Sequence, residues 1–399
     1  MLVRKSIVAA LALLVAWLAV RTAIVGQTAN IAPAVARSVA PGDPAALIAA
    51  ANYPNGDLKP PTAEEAALLD RAVRRNPLYY EPFLANAAFA AAHGEHRRAE
   101  RLGEAARARD PRVVATHLLL LTEYARSGDL RAAVAEMTPL AAISGVAGPA
   151  LAAALTTISR TPQGERVVEA ALRTNPRWRS AFVRQPAGSS EGLAFRTLAA
   201  APRGVPQAQN DDDRTSFLMR LVQAGDYQRA YLAWVNFLPA SQSQTGAIYD
   251  GSFAKLPGLQ PFNWTLTSNE LGTAERRSDS ALPGGTALDV NFFGGGETTL
   301  ATETLFVQPG NYTFSLNGVA DGGGKFAGAL HWQLTCLPSG ATTPLVTVSE
   351  FSGRPFQASQ PVTIPPSGCA AQQLSLTGEP GEVSTLLHAQ FNGLRLVAR

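Results

Sequence analysis

Apolar residues recur along this chain in three different rhythms. Residues 6–20, SIVAALALLVAWLAV, are apolar without interruption. Between 61 and 240 the apolar positions return every third or fourth residue, which is the spacing of one face of a helix. From about 255 onward short runs alternate apolar with polar residues between Gly, Pro, Asn and Ser, the two-residue rhythm of strands. The pattern predicts a multidomain chain: an apolar helix over 1–25, a Pro-, Gly- and Ala-rich tether over 26–60 with one short helix at 44–52, a helical domain over 61–240, and an all-β domain over 255–399.

Within the helical stretch the punctuation repeats. Thr62 followed by Glu65 is a capping-box start, and Asn76-Pro77 is a stop. Two periodic helices then flank Gly94 and two more flank Gly128, where a residue without Cβ permits the positive φ of a helix C-terminus. Pro77 and Pro111 stand 34 residues apart, as do Gly94 and Gly128. Phe83, Gly94, Ala99 and Ala106 in one unit, and Tyr124, Gly128, Ala133 and Leu140 in the next, resemble the tetratricopeptide repeat (TPR), a helix-turn-helix unit of this period. Gly225, Ala230 and Trp234 restore the pattern over 221–239. Ala87 and Leu121 stand where that family has Gly, and Gly103 where it has a large residue. The resemblance implies a TPR-like α-solenoid of four or five units whose first helices line a groove for a protein partner. Phe83, Asn86, Phe89, His117 and Tyr124 are the candidate partner-binding positions.

The β half reads as eight strands: 262–267, 287–293, 304–318, 328–336, 345–351, 361–365, 369–378 and 391–397. Even spacing without intervening helices predicts an antiparallel β-sandwich or jelly roll. VQPGNYTFSLNG (307–318) and the closing FNGLRLV resemble galactose-binding-like jelly rolls and carbohydrate-binding modules. That resemblance implies flat aromatic rings set beside hydrogen-bonding side chains, with Trp264, Phe293, Trp332 and Phe351 as glycan-binding candidates. Against this, Phe262, Trp264 and Leu266 share one face by alternation, as do Leu330, Trp332 and Leu334, and aromatic residues in such company belong to cores.

Arg4 and Lys5 precede the apolar run and Arg21 follows it. Two readings fit: an uncleaved anchor over 6–25, close to the roughly 20 residues a bilayer needs, or a signal peptide cleaved after export. Either exports the bulk of the chain, placing it in the periplasm beyond an inner membrane or secreting it. The two cysteines, Cys336 and Cys369, are then read as a disulfide, with two free thiols as the alternative and no C-x-x-C spacing present. Closing that loop contributes roughly 3–4 kcal/mol in the chain-entropy picture. The net charge of +3 hides an asymmetry: from 256 onward six Lys and Arg face ten Asp and Glu, a balance of −4, which leaves +7 before that point. The excess is dispersed as single Arg residues on helical faces, so no nucleic-acid partner is expected.

The chemistry of catalysis is sparse. His93 and His96 bracket a turn, and Asp211, Asp212 and Asp213 lack the spacing of a calcium loop and read as a solvated loop and helix cap. No metal or cofactor is expected. No G-x-S-x-G, H-E-x-x-H or S-x-x-K occurs, and the chain is expected not to be an enzyme. The combined expectation is an exported, membrane-anchored adaptor that binds a protein through the repeats and a glycan through the sandwich, in envelope polysaccharide assembly. The alternatives are a sandwich that merely caps the repeats and a cryptic hydrolase using His331 or Asp289.

Overall fold

Three rhythms become three kinds of structure in the computed structural model. It describes residues 2–29, 31–51, 59–143, 148–184, 190–200, 207–239, 246–255, 258–278, 280–321, 329–338, 343–349, 355–384 and 386–399. The chain divides into two compact units, essentially 1–197 and 205–399.

In the first unit, α1 (Leu2–Thr28) contains the stretch Ala10–Thr28, the one helix among the described residues long and apolar enough to cross a membrane. Residues 31–51, expected as a tether with one short helix, form two: α2 (Pro33–Val39) and α3 (Pro44–Ala50), each with Pro in its first turn. Val25 and Ala29 at the end of α1 are buried among Ala36, Ala40, Ala46 and Ala49. Small side chains let these short helices approach closely, so α1 is continuous with a folded core.

α4 (Ala63–Arg75) begins with the capping box, the Thr62 side chain accepting from the Glu65 N–H and the Glu65 carboxylate from the Thr62 N–H. α5 (Glu81–Ala92) and α6 (His96–Arg109) follow, then α7 (Val114–Ser127), α8 (Leu130–Ile143), α9 (Gly148–Ile158), α10 (Pro162–Leu172), α11 (Arg179–Arg184) and α12 (Glu191–Ala199). Gly94 and Gly128 take φ of 77° and 84° at the turns that separate the paired helices. Gly103, a departure from the repeat pattern, has a packing reason. A Cβ there would meet the Leu120 and Leu119 Cδ2 atoms at 2.8 and 3.0 Å, so α6 lies tight against α7 only because this residue is Gly.

Several polar groups caught between these helices are paired, although the Thr116 hydroxyl of α7 is not. His117 Nδ1 lies 2.6 Å from Glu136 Oε2, and its Nε2 lies 2.9 Å from the Pro111 carbonyl. Arg107 meets the other Glu136 oxygen. The Tyr124 hydroxyl donates to Glu104 at 2.8 Å, and His96 reaches Glu123 at 2.8 Å.

The second unit opens with a helical hairpin, α13 (Gln207–Gln223) and α14 (Tyr227–Phe237), which sequence had placed at the end of the repeat region. Its aromatic side chains pack on the sandwich that follows: Tyr231 lies 5.6 Å from Phe262 and 5.4 Å from Phe306, and Trp234 lies 5.1 Å from Tyr249. Asp211, Asp212 and Asp213 sit inside α13 rather than in a solvated loop, and Asp213 is fully buried.

Eleven strands among the described residues form two antiparallel sheets, instead of the eight expected. One has the order β1 (Thr265–Leu266), β5 (Thr298–Leu305), β10 (Ala371–Glu379), β7 (Ala329–Leu337), β8 (Val346–Val348). The other runs β2 (Ser268–Asn269), β3 (Gly272–Arg277), β4 (Ala287–Phe292), β11 (Leu387–Ala398), β6 (Gly310–Asp321), β9 (Phe356–Ile364). β3 and β5 are the main additions, because GTAERR and TTLATETL lack an apolar run. Cys336 and Cys369 form a disulfide (Sγ–Sγ 2.08 Å) between β7 and the residues entering its neighbour β10.

The His117 pair makes the helical unit sensitive to pH. Burial alone would lower the imidazole pKa. The hydrogen bonds to Glu136 and the Pro111 carbonyl, with the Glu136 charge, outweigh burial and the opposing Arg107, and raise it above the ordinary 6.5. A raised histidine pKa adds stability that is complete below the unfolded value and lost as pH rises through the folded one. The melting temperature of the helical unit, followed by circular dichroism, is therefore expected to fall as pH rises from about 6 to about 8, and His117→Gln to flatten that fall. Equal pH slopes in the two proteins contradict the assignment.

Candidate functional site

The structure separates the candidate binding residues by exposure. Trp264 and Trp332 are 2% and 0% exposed and stand edge-to-face in the sandwich core, 5.6 Å apart, so neither ring can meet a sugar; this corrects their reading as glycan platforms. Phe351 lies outside the described residues. Phe293 is 40% exposed. In the helical unit, His117 and Tyr124 are buried in the pairs described above and offer no surface to a partner, which corrects their assignment to a binding groove. The half-buried Phe83 is covered by the Arg109 guanidinium at 3.6 Å, Asn86 donates to Asp70 at 3.2 Å, and Phe89 packs on His93 with ring centroids 4.0 Å apart.

Phe293 ends a line of outward side chains. In β4 the residues Leu288, Val290 and Phe292 face the core, so Asp289 and Asn291 face out, and Phe293 continues their row just beyond the strand. Antiparallel register extends the pattern sideways. Glu275 of β3, Asp289, Gln390 of β11 and Val319 of β6 form one row, and Thr273, Asn291, His388 and Asp321 the next.

Asp289 Oδ1 organises this face. It accepts from Gln390 Nε2 at 2.8 Å and lies 2.9 Å from His388 Nε2 and 3.6 Å from Arg277 Nη1. Gln390 Oε1 accepts in turn from Ser280 at 2.8 Å, and His388 Nδ1 approaches Asp321 at 3.6 Å. Leu386 and Val383, 51% and 55% exposed, precede β11, and the Ser384 hydroxyl donates to the Phe293 carbonyl at 2.6 Å. Beside this face a recess of about 450 Å³ lies along β3, lined by its inward Ala274 and Arg276 as well as by Glu275, Arg277, Lys255 and Thr286. The face thus offers one accessible ring, a small apolar fringe, and carboxylate, amide, imidazole and guanidinium groups already held in place. Such a set suits a ligand with an apolar face and many hydroxyls. Sequence reasoning missed Asp289, His388 and Gln390 as a group because His388 and Gln390 fell before the expected strand 391–397. The alternations D-x-N-x-F (289–293) and H-x-Q-x-N (388–392) were the available signal.

No protein-family model and no curated protein matches the chain. Among solved structures it is similar to a family 4 carbohydrate-binding module, at 16% identity and a TM-score of 0.28 over 38% of this chain and 99% of that one. It is also similar to the C-terminal family 22 carbohydrate-binding module of a Clostridium thermocellum xylanase, at 14% identity and a TM-score of 0.27 over 39% and 96%. An arabinose-bound α-L-arabinofuranosidase matches at 15% identity and a TM-score of 0.29, over 38% of this chain and 26% of that one. Likeness at this level assigns no ligand and no activity.

β3 carries Glu275 and Arg277 outward and Arg276 inward, into a buried cluster of charge. Asp250, at a φ of 55°, accepts from the N–H groups of Ala254 and Lys255, and Arg276 Nε lies 3.8 Å from its Oδ2. Arg276 also donates to Asn263 at 3.2 Å. Glu303, 2% exposed on the core side of β5, accepts from the Tyr249 N–H at 2.8 Å, and its second oxygen has no hydrogen-bond partner. Burial pushes Glu303 well above the usual carboxylate range, with Asp250 adding to the rise and the Tyr249 N–H and Arg276 opposing it. A raised carboxyl pKa means stability present below the unfolded value and lost as pH rises from there toward the folded one. Glu303→Gln keeps an acceptor for Tyr249 and cannot ionise. It is expected to match the wild type near pH 4 and to exceed it in denaturant midpoint at about pH 7. A less stable variant at neutral pH contradicts this.

Proposed function

We propose that this chain is a membrane-tethered adaptor that holds a polysaccharide on the outer face of its six-stranded sheet. The observation that carries the reading is the exposed Phe293 ring in line with Asn291 and with Asp289 and His388, Asp289 being pinned by the buried Gln390. A pyranose stacked on Phe293 presents its equatorial hydroxyls to these side chains, which pay little entropy because hydrogen bonds already fix them. The resemblance of 307–318 and 391–397 to carbohydrate-binding modules points the same way.

The remaining features supply context. The disulfide suits an oxidising compartment beyond a membrane. Burial of Val25 and Ala29 favours a retained anchor over a cleaved signal, since removing α1 strips cover from Ala36, Ala40, Ala46 and Ala49. The TPR-like helical unit is the protein-binding arm of this reading, and envelope polysaccharide assembly is the process such a protein serves.

Affinity electrophoresis of the full chain in gels cast with plant and bacterial polysaccharides tests the glycan half. At least one polysaccharide is expected to retard the wild type, and Phe293→Ala and Asp289→Ala each to raise its Kd about tenfold, about 1.4 kcal/mol. Absence of retardation by every polysaccharide ends this reading and leaves the sandwich a structural cap.

A further inference from the structure

The helical unit carries a recess of its own. It measures about 550 Å³ and lies between α8 and α10, with Pro176 and Trp178 also lining it. α8 contributes Arg131, Val134, Ala135 and Thr138, and α10 contributes Gln163, Arg166, Val167, Ala170 and Ala171. These are the three- and four-residue spacings of single helical faces, so two stripes oppose each other across the groove.

Its floor is aliphatic and its rim is cationic. Val134 is buried and Val167 half-buried, whereas Arg131 and Arg166 are exposed. Neither arginine has a carboxylate partner among the described residues, and no Asp or Glu lines the groove. The acids on α10 are engaged elsewhere: Glu165 meets Arg196, and Glu169 meets Arg173 at 2.9 Å. Glu136 of α8 is buried against His117 and Arg107. Independently of these charges, Trp178 is 1% exposed, lines the groove, and has an indole Nε1 with no acceptor. A buried donor left unpaired is costly in a folded protein, and a shift of the Trp178 ring on ligand seating that brings Nε1 to a ligand oxygen relieves that cost.

We propose that this groove binds an acidic peptide segment of a partner protein. An aliphatic side chain fills the floor over Val134 and Val167, flanking carboxylates pair with Arg131 and Arg166, and a carbonyl or carboxylate oxygen accepts from Trp178 Nε1. A sugar chain fits less well, because the ring of Trp178 is buried and no exposed aromatic face lines the groove for stacking. The lining comes from the second helices of successive pairs, not from the first-helix positions Phe83, Asn86 and Phe89. This deepens the protein-binding half of the proposed function and is separable from its glycan half, because Phe293→Ala affects only the latter.

The test uses the full chain in detergent micelles and a fluorescein-labelled hexapeptide of alternating glutamate and leucine, read by anisotropy. A lysine–leucine peptide and polygalacturonate serve as the opposing probes. The acidic peptide is expected to bind, more weakly as salt rises. The Arg131→Glu, Arg166→Glu double variant, altered only at exposed positions, is expected to raise its Kd at least about tenfold. Trp178→Phe, which keeps an aromatic ring and removes the N–H, raises it about threefold. Phe293→Ala leaves it unchanged. No binding of the acidic peptide, equal binding of the lysine peptide, an unchanged Kd in the double variant, or binding of polygalacturonate in place of the peptide overturns the proposal.

Discussion

The edge-to-face packing of Trp264 on Trp332, and of Trp332 on Phe391, is the contact on which the C-terminal unit depends. The three rings stand 5.6 and 5.7 Å apart in sequence across both sheets. Phe253 adds a fourth ring 5.0 Å from Trp264, and the Trp264 indole N–H donates to the Asp250 carbonyl at 3.3 Å. Large rings bury more apolar area than any aliphatic alternative and accept few relative orientations, so they set which face of each strand turns inward. Once Phe391 and Leu288 are inside, the two-residue period leaves Asp289, Gln390 and His388 no position but the outer face. The chemistry of the candidate site is thus a consequence of the core.

The two units solve the problem of buried polarity differently. Between α6, α7 and α8 the two buried acids have bases, Glu136 with His117 and Arg107 and Glu123 with His96 and Arg126, while the exposed Glu104 accepts from Tyr124. In the sandwich, Asp250 has Arg276 and the N–H groups of Ala254 and Lys255, whereas Glu303 has only the Tyr249 N–H and one of its oxygens goes unpaired. The helical arrangement sets the orientation of neighbouring helices through specific pairs. The sandwich arrangement ties the segment 246–255 to β3 and β5, and through β3 to the face that carries Glu275 and Arg277.

What sequence could show depended on the range of the interaction. Gly94 and Gly128 announced the helix pairs because a positive φ is a local demand. The company of Trp264 and Trp332 in their own strands pointed to the core for the same reason. By contrast, the Asp289–His388 and Asp289–Gln390 contacts join residues 99 and 101 positions apart, and only the β4–β11 register creates them. β3 was passed over because its Glu and Arg residues hide the alternation of Gly272 and Ala274 on the inner face. The hairpin 207–237 was readable as helix but not as part of the sandwich unit, since the partners of Tyr231 and Trp234 lie beyond it in the chain. The groove beside Trp178 had no local signature at all, because its charge comes from two helices and its donor from a third segment.

The proposed function puts a glycan on the outer face of the six-stranded sheet and leaves the tryptophans in the core. Hydrogen–deuterium exchange of the full chain, with and without a polysaccharide that retards it, tests this most directly. Exchange is expected to slow over 287–293 and 387–392, with β5, β7 and β10 unchanged. Protection confined to β5, β7 and β10, with none over β4 and β11, would contradict it.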